Sequence, residues 1–441
     1  MNEQVTATDS RSVSEESGQE RGSMTHLLWF FALVYIVEGL GQIGGLISQP
    51  LNYYLKEVHG WTPLQITAYL TIFNVPWIIK PLYGLVSDFV PLFGYRRKSY
   101  LLLANAAAVG GFLLVTRLTV PDRLVFALML TAYAMAISST LCGAVLVENG
   151  QRLQESGTFV NQQWLWYNIA AMTAAILGGQ LVQRLAPTAA LHAAAAVVSC
   201  APLLVIFGTL FLISEKKAPM NIQGMKHTLE GLSSAFRRRH LWIIAAFIFL
   251  YYFSPGLSTP LYFIMTDSLK FSQAYIGVLG SLAGAGWVIG AYLYRRYFKT
   301  LTLKRLLNCS IAIGTIASLA FLFLWNEPAA ALISFFSGFA AMLATVATLT
   351  LAADYCPRRA EGFAFAVLMS IINLATALAD NIGSYLFTHV FHGQLAPLVV
   401  LSAAFTAFAF MLVPLLHLGD KRQGTPATAS VIAPPPPPDT R

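Results

Sequence analysis

The chain has 441 residues, of which 56% are hydrophobic and only 11% are charged, and its mean hydropathy is +0.62. Soluble domains carry about 25% charged residues, so this composition excludes a fully water-exposed protein and indicates a chain that faces lipid over most of its surface. The net charge of +8 would suit nucleic acid, but cationic loops on one side of a membrane explain it equally well, and we expect no nucleic-acid partner.

The two ends of the chain are polar. Residues 1–24 are rich in Ser and Glu and lack the apolar segment of a signal peptide, so they predict a disordered cytosolic tail. Residues 419–441 contain five consecutive prolines and predict a second disordered tail.

The four cysteines follow neither metal-ligand spacing nor a disulfide framework, so we expect no metal and no cofactor.

Apolar runs of membrane-spanning length recur about twelve times, since a helix needs about 20 residues to cross the hydrocarbon. The fold class is therefore an all-α membrane protein, and the even number of helices places both tails on one side. The predicted spans are 27–48, 64–88, 99–116, 124–147, 163–184, 190–213, 241–264, 274–295, 305–325, 328–353, 362–387 and 396–417.

The basic residues are distributed unevenly between the two sides. Of the 28 lysines and arginines, 22 lie in the tails or in loops on the tail side, five lie on the opposite side, and Lys80 lies within the second span. The positive-inside rule therefore places both tails in the cytoplasm. The short loops, and the lack of N-x-[ST] sequons in the outer ones, favour a bacterial inner membrane.

The longest internal loop, 214–240, separates a first half of six helices, 25–213, from a second half, 241–418. Basic residues accompany an apolar series at helical spacing in this loop, which predicts an amphipathic helix on the membrane surface. The apolar series is Met225, Leu229, Leu232 and Phe236. Two halves of six helices are the layout of a major facilitator transporter.

A candidate gate lies between the second and third spans. Residues 84–88 read GLVSD and residues 94–98 read GYRRK, and together they resemble an expanded form of the signature that major facilitator proteins carry at this place. The resemblance implies a cytoplasmic gate whose network favours the outward-open state. Its residues are Gly84, Asp88, Gly94, Arg96, Arg97 and Glu148.

Each part of this gate has a physical role. Gly84 would let a neighbouring helix approach closely. Asp88 would cap the positive N-terminus of a helix from the other half. The arginines would hold Asp88 and Glu148 by charge-assisted hydrogen bonds. The alternative is that residues 96–98 only determine the topology of the chain.

Four segments resemble the folate–biopterin transporter family within the major facilitator superfamily. They read KPLYGLVSD with PLFGYRRKSYL, VENGQRLQESGTFVNQQW, LGSLAGAGWVIGAYLYRRYFKTLTLKRLL, and CPRRAEGFAFAVLMSIINLATALADNIGSYL, and they cover about a quarter of the chain. The resemblance implies a major facilitator fold and a small-molecule substrate of the folate or pterin class.

Three charged residues lie in the interior of predicted spans, away from the span ends: Glu38, Lys80 and Asp380. Charge at bilayer depth is expensive and usually functional. Glu38 and Gln42 are four residues apart and share a helix face. Polar side chains on the same three helices add to the group: Gln42, Gln49, Asn74, Asn373 and Asn381. We expect Glu38, Gln42, Lys80, Asn373, Asp380 and Asn381 to bind substrate or to couple protons.

Structural roles compete with these functional ones. Lys80 follows Pro76 and precedes Pro81, so it could instead satisfy the carbonyls that these prolines free, extend to the headgroups, or pair with Glu38. The Asp380–Asn381 pair could simply bridge helices. Two tryptophans near the inner end of the fifth span are expected to anchor that helix at the interface, with stacking on a substrate ring as the alternative. They are Trp164 and Trp166.

The chemistry of these residues suits a pterin or a folate. A carboxylate can accept both hydrogen bonds of a pterin 2-amino/N3–H edge, so Glu38 or Asp380 would bind that edge or carry the coupling proton. Lys80 would attract the carboxylate of a folate. The sequence shows no catalytic constellation and therefore gives no sign of an enzyme, and the lack of a phosphate-binding loop argues against an ATP-driven pump.

The sequence therefore predicts a secondary transporter for folate, biopterin or a related solute, proton-coupled and monomeric, in contact with membrane lipids. The alternatives are a permease for another amphipathic metabolite, such as a muropeptide, and a sensor or lipid-handling protein of the same fold. Sustained solute flux would distinguish the transporter from the sensor.

Overall fold

The computed structural model describes residues 24–153, 155–226, 239–298, 300–355 and 361–416. All the secondary-structure elements in these ranges are helices, apart from one isolated β-bridge, which confirms the all-α prediction. The described helices group into twelve segments, which follow the order of the twelve predicted spans and which we number α1 to α12. The two predicted tails lie outside the described residues, as does most of the predicted amphipathic helix, of which only 222–226 is described and helical.

The first half contains α1 to α6, and three of these segments consist of more than one helix. The helices are α1, Met24–Gly41 and Ser48–His59; α2, Pro63–Ile72, Val75–Ile78 and Lys80–Phe89; α3, Lys98–Val115; α4, Pro121–Leu153; α5, Ser156–Arg184; and α6, Pro187–Ser199 and Ala201–Phe211.

The second half contains α7 to α12, and π-helical turns extend three of its segments. The helices are α7, Arg239–Tyr252 and Ser258–Phe263; α8, Gln273–Leu293; α9, Leu303–Ala320; α10, Glu327–Tyr355; α11, Glu361–Tyr385; and α12, Leu395–Leu412. The π-helical turns are Ile264–Ser268, Tyr294–Phe298 and Leu386–Val390.

Ten of the twelve segments in the described residues contain a continuous helix long and apolar enough to cross a bilayer, and the exceptions are α2 and α7. Pro76 and Pro81 divide α2, because proline has no N–H for the helical ladder. Pro255 and Gly256 lie in the unwound segment of α7, where the sequence predicted one uninterrupted span. α1 is also interrupted and extends to His59, past the predicted end at residue 48.

The apolar cores of the two halves are separate. One core cluster draws its buried residues from 27–205 and includes Phe31, Tyr54 and Phe112. Another draws its buried residues from 241–416 and includes Ile248 and Leu307. Each half is therefore organised around its own interior, as burial of apolar side chains requires of a packed unit.

The halves meet at the end of the bundle away from the tails, which we call the far side. The Thr67 hydroxyl is 2.8 Å from the hydroxyl of Thr259 and 2.8 Å from that of Ser384, and all three residues are buried. Gln49 donates to the carbonyl and side-chain oxygens of Gln273 at 2.7 and 2.9 Å. These five residues form the far-side seam, and the Lys56–Asp267 ion pair joins the halves at the same end.

α11 packs directly on the break in α7. The amide of Gly256 donates to the carbonyl of Ala379 at 2.9 Å, and a Cβ atom on Gly383 would overlap the Gly256 carbonyl. The backbone polar groups freed by the break are thus partly satisfied by a neighbouring helix, as bilayer depth requires. Only glycine at position 383 allows this approach.

Gly383→Ala is expected to destabilise the protein by about 1–3 kcal/mol, because the added methyl group forces α11 away from α7. Thermal unfolding in detergent measures the loss. Gly110→Ala is the matched control, since Gly110 is also helical and a Cβ atom there meets nothing within 4 Å. Equal melting temperatures for the two variants would contradict the close contact.

Candidate functional site

A hydrogen-bonded chain links three helices of the first half. Lys80 Nζ on α2 donates to Ser139 Oγ on α4 at 3.0 Å, and Ser139 Oγ donates to Glu38 Oε1 on α1 at 3.0 Å. Glu38 and Lys80 are therefore connected through a hydroxyl, whereas the sequence had suggested a direct ion pair. The structure therefore brings two of the three predicted intramembrane charges, Glu38 and Lys80, to the two ends of one hydrogen-bonded chain.

The second carboxylate oxygen of Glu38 is unusual. Glu38 Oε2 is buried and has no hydrogen-bond partner among the described residues. An unpaired carboxylate oxygen away from water is expensive, and a proton on it removes most of that cost. The hydroxyl of Tyr35, one turn earlier on α1, is also buried, and its side chain interacts with that of Cys142. The role of Glu38 in carrying a proton stays a prediction.

The polar stripe of α1 contacts other helices along its length. The Gln42 amide donates a hydrogen bond to the Tyr167 hydroxyl on α5. Gln49 contacts Gln273 on α8, which belongs to the second half. The polar stripe of α1, which consists of Glu38, Gln42 and Gln49, therefore makes hydrogen bonds with α4, α5 and α8.

Lys80 does not take the structural roles that its neighbouring prolines suggested. Its Nζ lies 4.0 Å from the ring centroid of Trp77, at cation–π distance, besides its bond to Ser139. Pro81 cannot donate to the carbonyl of Trp77, and Asn373 Nδ2 on α11 donates to that oxygen instead, at 3.2 Å. Asn373 thereby joins the two halves in mid-bundle.

The other two predicted residues of α11 lie closer to the far side. Asn381 Nδ2 donates to Thr71 Oγ1 on α2 at 2.5 Å, so it also bridges the halves. Asp380 Oδ1 accepts a long hydrogen bond from Ser258 Oγ at 3.4 Å and lies against Gly256 in the α7 break. Asp380 is therefore separate from the Glu38–Ser139–Lys80 chain, and its role in binding or coupling stays a prediction.

Three of the six predicted gate residues, Asp88, Arg97 and Glu148, contact each other through the Arg97 guanidinium. This guanidinium is buried and donates to Ser87 Oγ at 2.5 Å, to Glu148 Oε1 at 2.8 Å and to Asp88. Burial alone lowers the Arg97 pKa, but the two carboxylates outweigh it and raise the pKa overall. The predicted contacts of Arg97 are thus present, and the gating role stays a prediction.

Asp88 pairs with Arg97 of its own half, and its capping of a helix of the other half stays a prediction. The close helix approach predicted at Gly84 is not found among the described residues, where a Cβ atom on Gly84 would meet only Thr140, at an ordinary 3.8 Å. Gly94, by contrast, has φ 85° and follows Phe93 at φ 53°, so a tight left-handed turn requires it.

Glu215, just after α6, makes a structural contact beside the predicted gate that sequence reasoning missed. Its carboxylate accepts from the backbone amides of Arg96 at 2.9 Å, of Lys98 at 2.8 Å and of Arg97 at 3.1 Å. It therefore caps the N-terminus of α3, where the first amides of a helix have no internal partner. The sequence does offer a signal for this contact: Glu215 is an isolated acid directly before the basic pair Lys216 and Lys217.

An aromatic pair joins α5 to α8. The Trp164 and Trp287 ring centroids are 4.9 Å apart, and Tyr167 packs edge-on against Trp164 at 5.9 Å. The interfacial role expected of Trp164 and Trp166 stays a prediction. Trp166 donates to Gln162 at 2.6 Å and packs against the first core. Trp164 and Trp287 line a cavity of about 520 Å³.

A second depression, of about 590 Å³, lies beside α12 between Phe391 and Ala404. Its described lining contains no charged residue and none of the polar residues named above. It therefore adds nothing to the chemistry of the site.

Sequence comparisons identify related transporters. The BT1 family model matches residues 40–421. The folate-biopterin transporter of Synechocystis sp. is 28% identical over 410 residues, which span 88% of this chain and 81% of that protein. Folate transporter 1 of Plasmodium falciparum is 23% identical over 357 residues, which span 77% of this chain and 69% of that protein. These relatives are transporters and not enzymes.

Structural comparisons identify the fold. The crystal structure of the nucleoside transporter NupG superposes with a TM-score of 0.66 at 13% identity, covering 90% of this chain and 98% of that one. The D-xylose-proton symporter superposes with a TM-score of 0.64 at 13% identity, again covering 90% and 98%. Both are major facilitator proteins, so the predicted fold of two six-helix halves is confirmed.

Proposed function

The chain belongs to the BT1 family, and on that premise we propose that it is a secondary transporter that carries folates, biopterin or a related small solute by alternating access, coupled to protons. The names of its relatives support the folate and pterin class of cargo. The observation that carries the coupling proposal is the Glu38–Ser139–Lys80 chain with its unpaired carboxylate oxygen.

The chain of three residues gives protonation a consequence for binding. With Glu38 ionised, the Glu38–Lys80 pair is neutral overall; a proton on Glu38 Oε2 leaves a net charge of +1 on Lys80. Because opposite charges attract strongly where water is scarce, the protonated state favours an anionic solute nearby, and loss of the proton weakens that attraction. Proton and anion would therefore bind together and leave together, which is symport.

The distribution of cations supports an orientation with both tails in the cytoplasm. In that orientation the far-side seam faces outward. We further propose a monomer surrounded by lipid in a bacterial inner membrane, in keeping with the short loops. The Arg97 network then lies at the cytoplasmic face.

Uptake by proteoliposomes tests the proposed function. We expect saturable uptake of labelled folate or biopterin under an inward proton gradient, and collapse of that uptake with a protonophore. A labelled muropeptide serves as the control cargo. Uptake of neither folate nor biopterin by well-folded protein would discard the cargo, and uptake unaffected by the protonophore would discard the proton coupling.

A further inference from the structure

The cavity at Trp164 results from the way α5 and α8 separate along their length. Near the far side the two helices touch: a Cβ atom on Gly179 would lie 3.0 Å from the Cα of Gly277. Closer to the tails, by one turn of α8 and two turns of α5, the helices are still in contact, because Ser281 Oγ donates to the Met172 carbonyl at 2.6 Å. Beyond the Trp164–Trp287 pair, the same helix faces line open space.

The lining of this cavity changes from aromatic to cationic. Trp164 and Trp287 line it together with Asn161 and Asn168, and Arg295 and Arg296 follow Trp287 by about two turns along α8. None of the described lining residues is acidic. The volume of about 520 Å³ falls within the range of roughly 300–1,000 Å³ that small-molecule sites occupy.

We propose that this cavity binds a planar heteroaromatic solute with an anionic tail, its ring on Trp164 and Trp287 and its carboxylates on Arg295 and Arg296. Tryptophan offers the flat, apolar face on which a bicyclic ring stacks. Arginine offers the planar pair of donors that matches a carboxylate. The inference rests on the proposed function and narrows it: folate, which has the tail, binds more tightly than biopterin, which lacks it.

Two further observations support this assignment. Lys80 lies outside the cavity lining, whereas Arg295 and Arg296 belong to it, so these arginines are the described cations available to the tail of a ring bound on Trp164. The cavity also connects to the coupling group: Trp164 packs on Tyr167, whose hydroxyl accepts from Gln42, one turn from Glu38. A ring bound on Trp164 would thus be connected through Tyr167 to Gln42 on α1.

Binding of folate and biopterin to the purified full-length protein in neutral phosphatidylcholine nanodiscs tests the proposal. Arg295→Gln with Arg296→Gln is expected to weaken folate binding by about 10- to 100-fold and to leave biopterin binding unchanged. Trp164→Leu is expected to weaken both ligands. The matched control, Lys304→Gln with Arg305→Gln, removes two exposed cations outside the cavity lining and should change neither affinity.

The outcomes separate the inference from the proposed function. If the Arg295/Arg296 variant binds folate as the wild type does, the cavity assignment is overturned and the proposed function stands. If the folded wild type binds neither ligand, the proposed function fails and the assignment fails with it. If the two arginines affect folate binding only when phosphatidylglycerol is added to the nanodiscs, they bind lipid headgroups, and the assignment is again overturned.

Discussion

Glu38→Gln is expected to abolish proton-driven accumulation of folate while leaving the protein folded. The glutamine amide oxygen can still accept from Ser139, so the chain to Lys80 survives, but an amide cannot carry the coupling proton. A gradient of one pH unit supports up to about tenfold accumulation with one coupled proton, because a tenfold ratio corresponds to about 1.4 kcal/mol. The variant should reach an internal-to-external ratio of about one.

Two measurements complete this prediction. Exchange of internal for external folate, which needs no net proton movement, should persist in Glu38→Gln. Glu57→Gln is the matched control, because Glu57 lies on the same segment α1 but is largely exposed and pairs with Lys56 at 3.2 Å. Accumulation and pH dependence like those of the wild type in Glu38→Gln would show that the proton is carried elsewhere, with Asp380 the next residue to replace.

Arg97→Ala is expected to cause the largest loss of stability among single replacements at the tail side. The side chain of Arg97 is 6% exposed and is the donor to Ser87, Asp88 and Glu148. We expect a loss of about 1.5–3 kcal/mol, the scale of hydrogen bonds to charged groups. A fully buried pair would lose more, but the Asp88 and Glu148 side chains are 42% and 48% exposed and remain hydrated.

The neighbouring arginine provides the control for this experiment. Arg96 is exposed, and its described hydrogen bond is from its backbone amide to Glu215, which an alanine keeps. Arg96→Ala should therefore leave the melting temperature in detergent nearly unchanged. Arg97→Lys should recover only part of the loss, because an ammonium cannot reproduce the planar donor pair. Equal melting temperatures for Arg96→Ala and Arg97→Ala would contradict the claim that the side-chain hydrogen bonds of Arg97 stabilise the fold.

The sequence predicted the helices and the charged members of the site because both have strong signals. Long apolar runs predict crossing helices, and the cost of charge in lipid identified Glu38 and Lys80. The residue that joins them, Ser139, is a hydroxyl in an apolar helix, and such residues are too common to single out. The order in which α1, α2 and α4 pack decides its role, and that order is a property of the folded chain.

Other misses concern backbone that departs from regular helix. Pro255 and Gly256 signal a break in α7, yet the surrounding hydrophobicity is high enough that the span was predicted as continuous. Pro81 predicts an unsatisfied carbonyl at Trp77, but nothing local indicates that Asn373, almost 300 residues later, fills it. Distant partners of this kind become visible only when the two halves are placed together.

The chemistry of the far-side seam determines how readily the bundle could open there. Its contacts are hydroxyl–hydroxyl and amide–carbonyl bonds, as in Thr67 with Ser384 and Gln49 with Gln273. Each such bond contributes only about 1 kcal/mol net, because water replaces the lost partner when the surfaces separate. An apolar seam would lose far more on wetting. Separating these hydrogen-bonded contacts therefore costs little free energy, as the proposed alternating access would require.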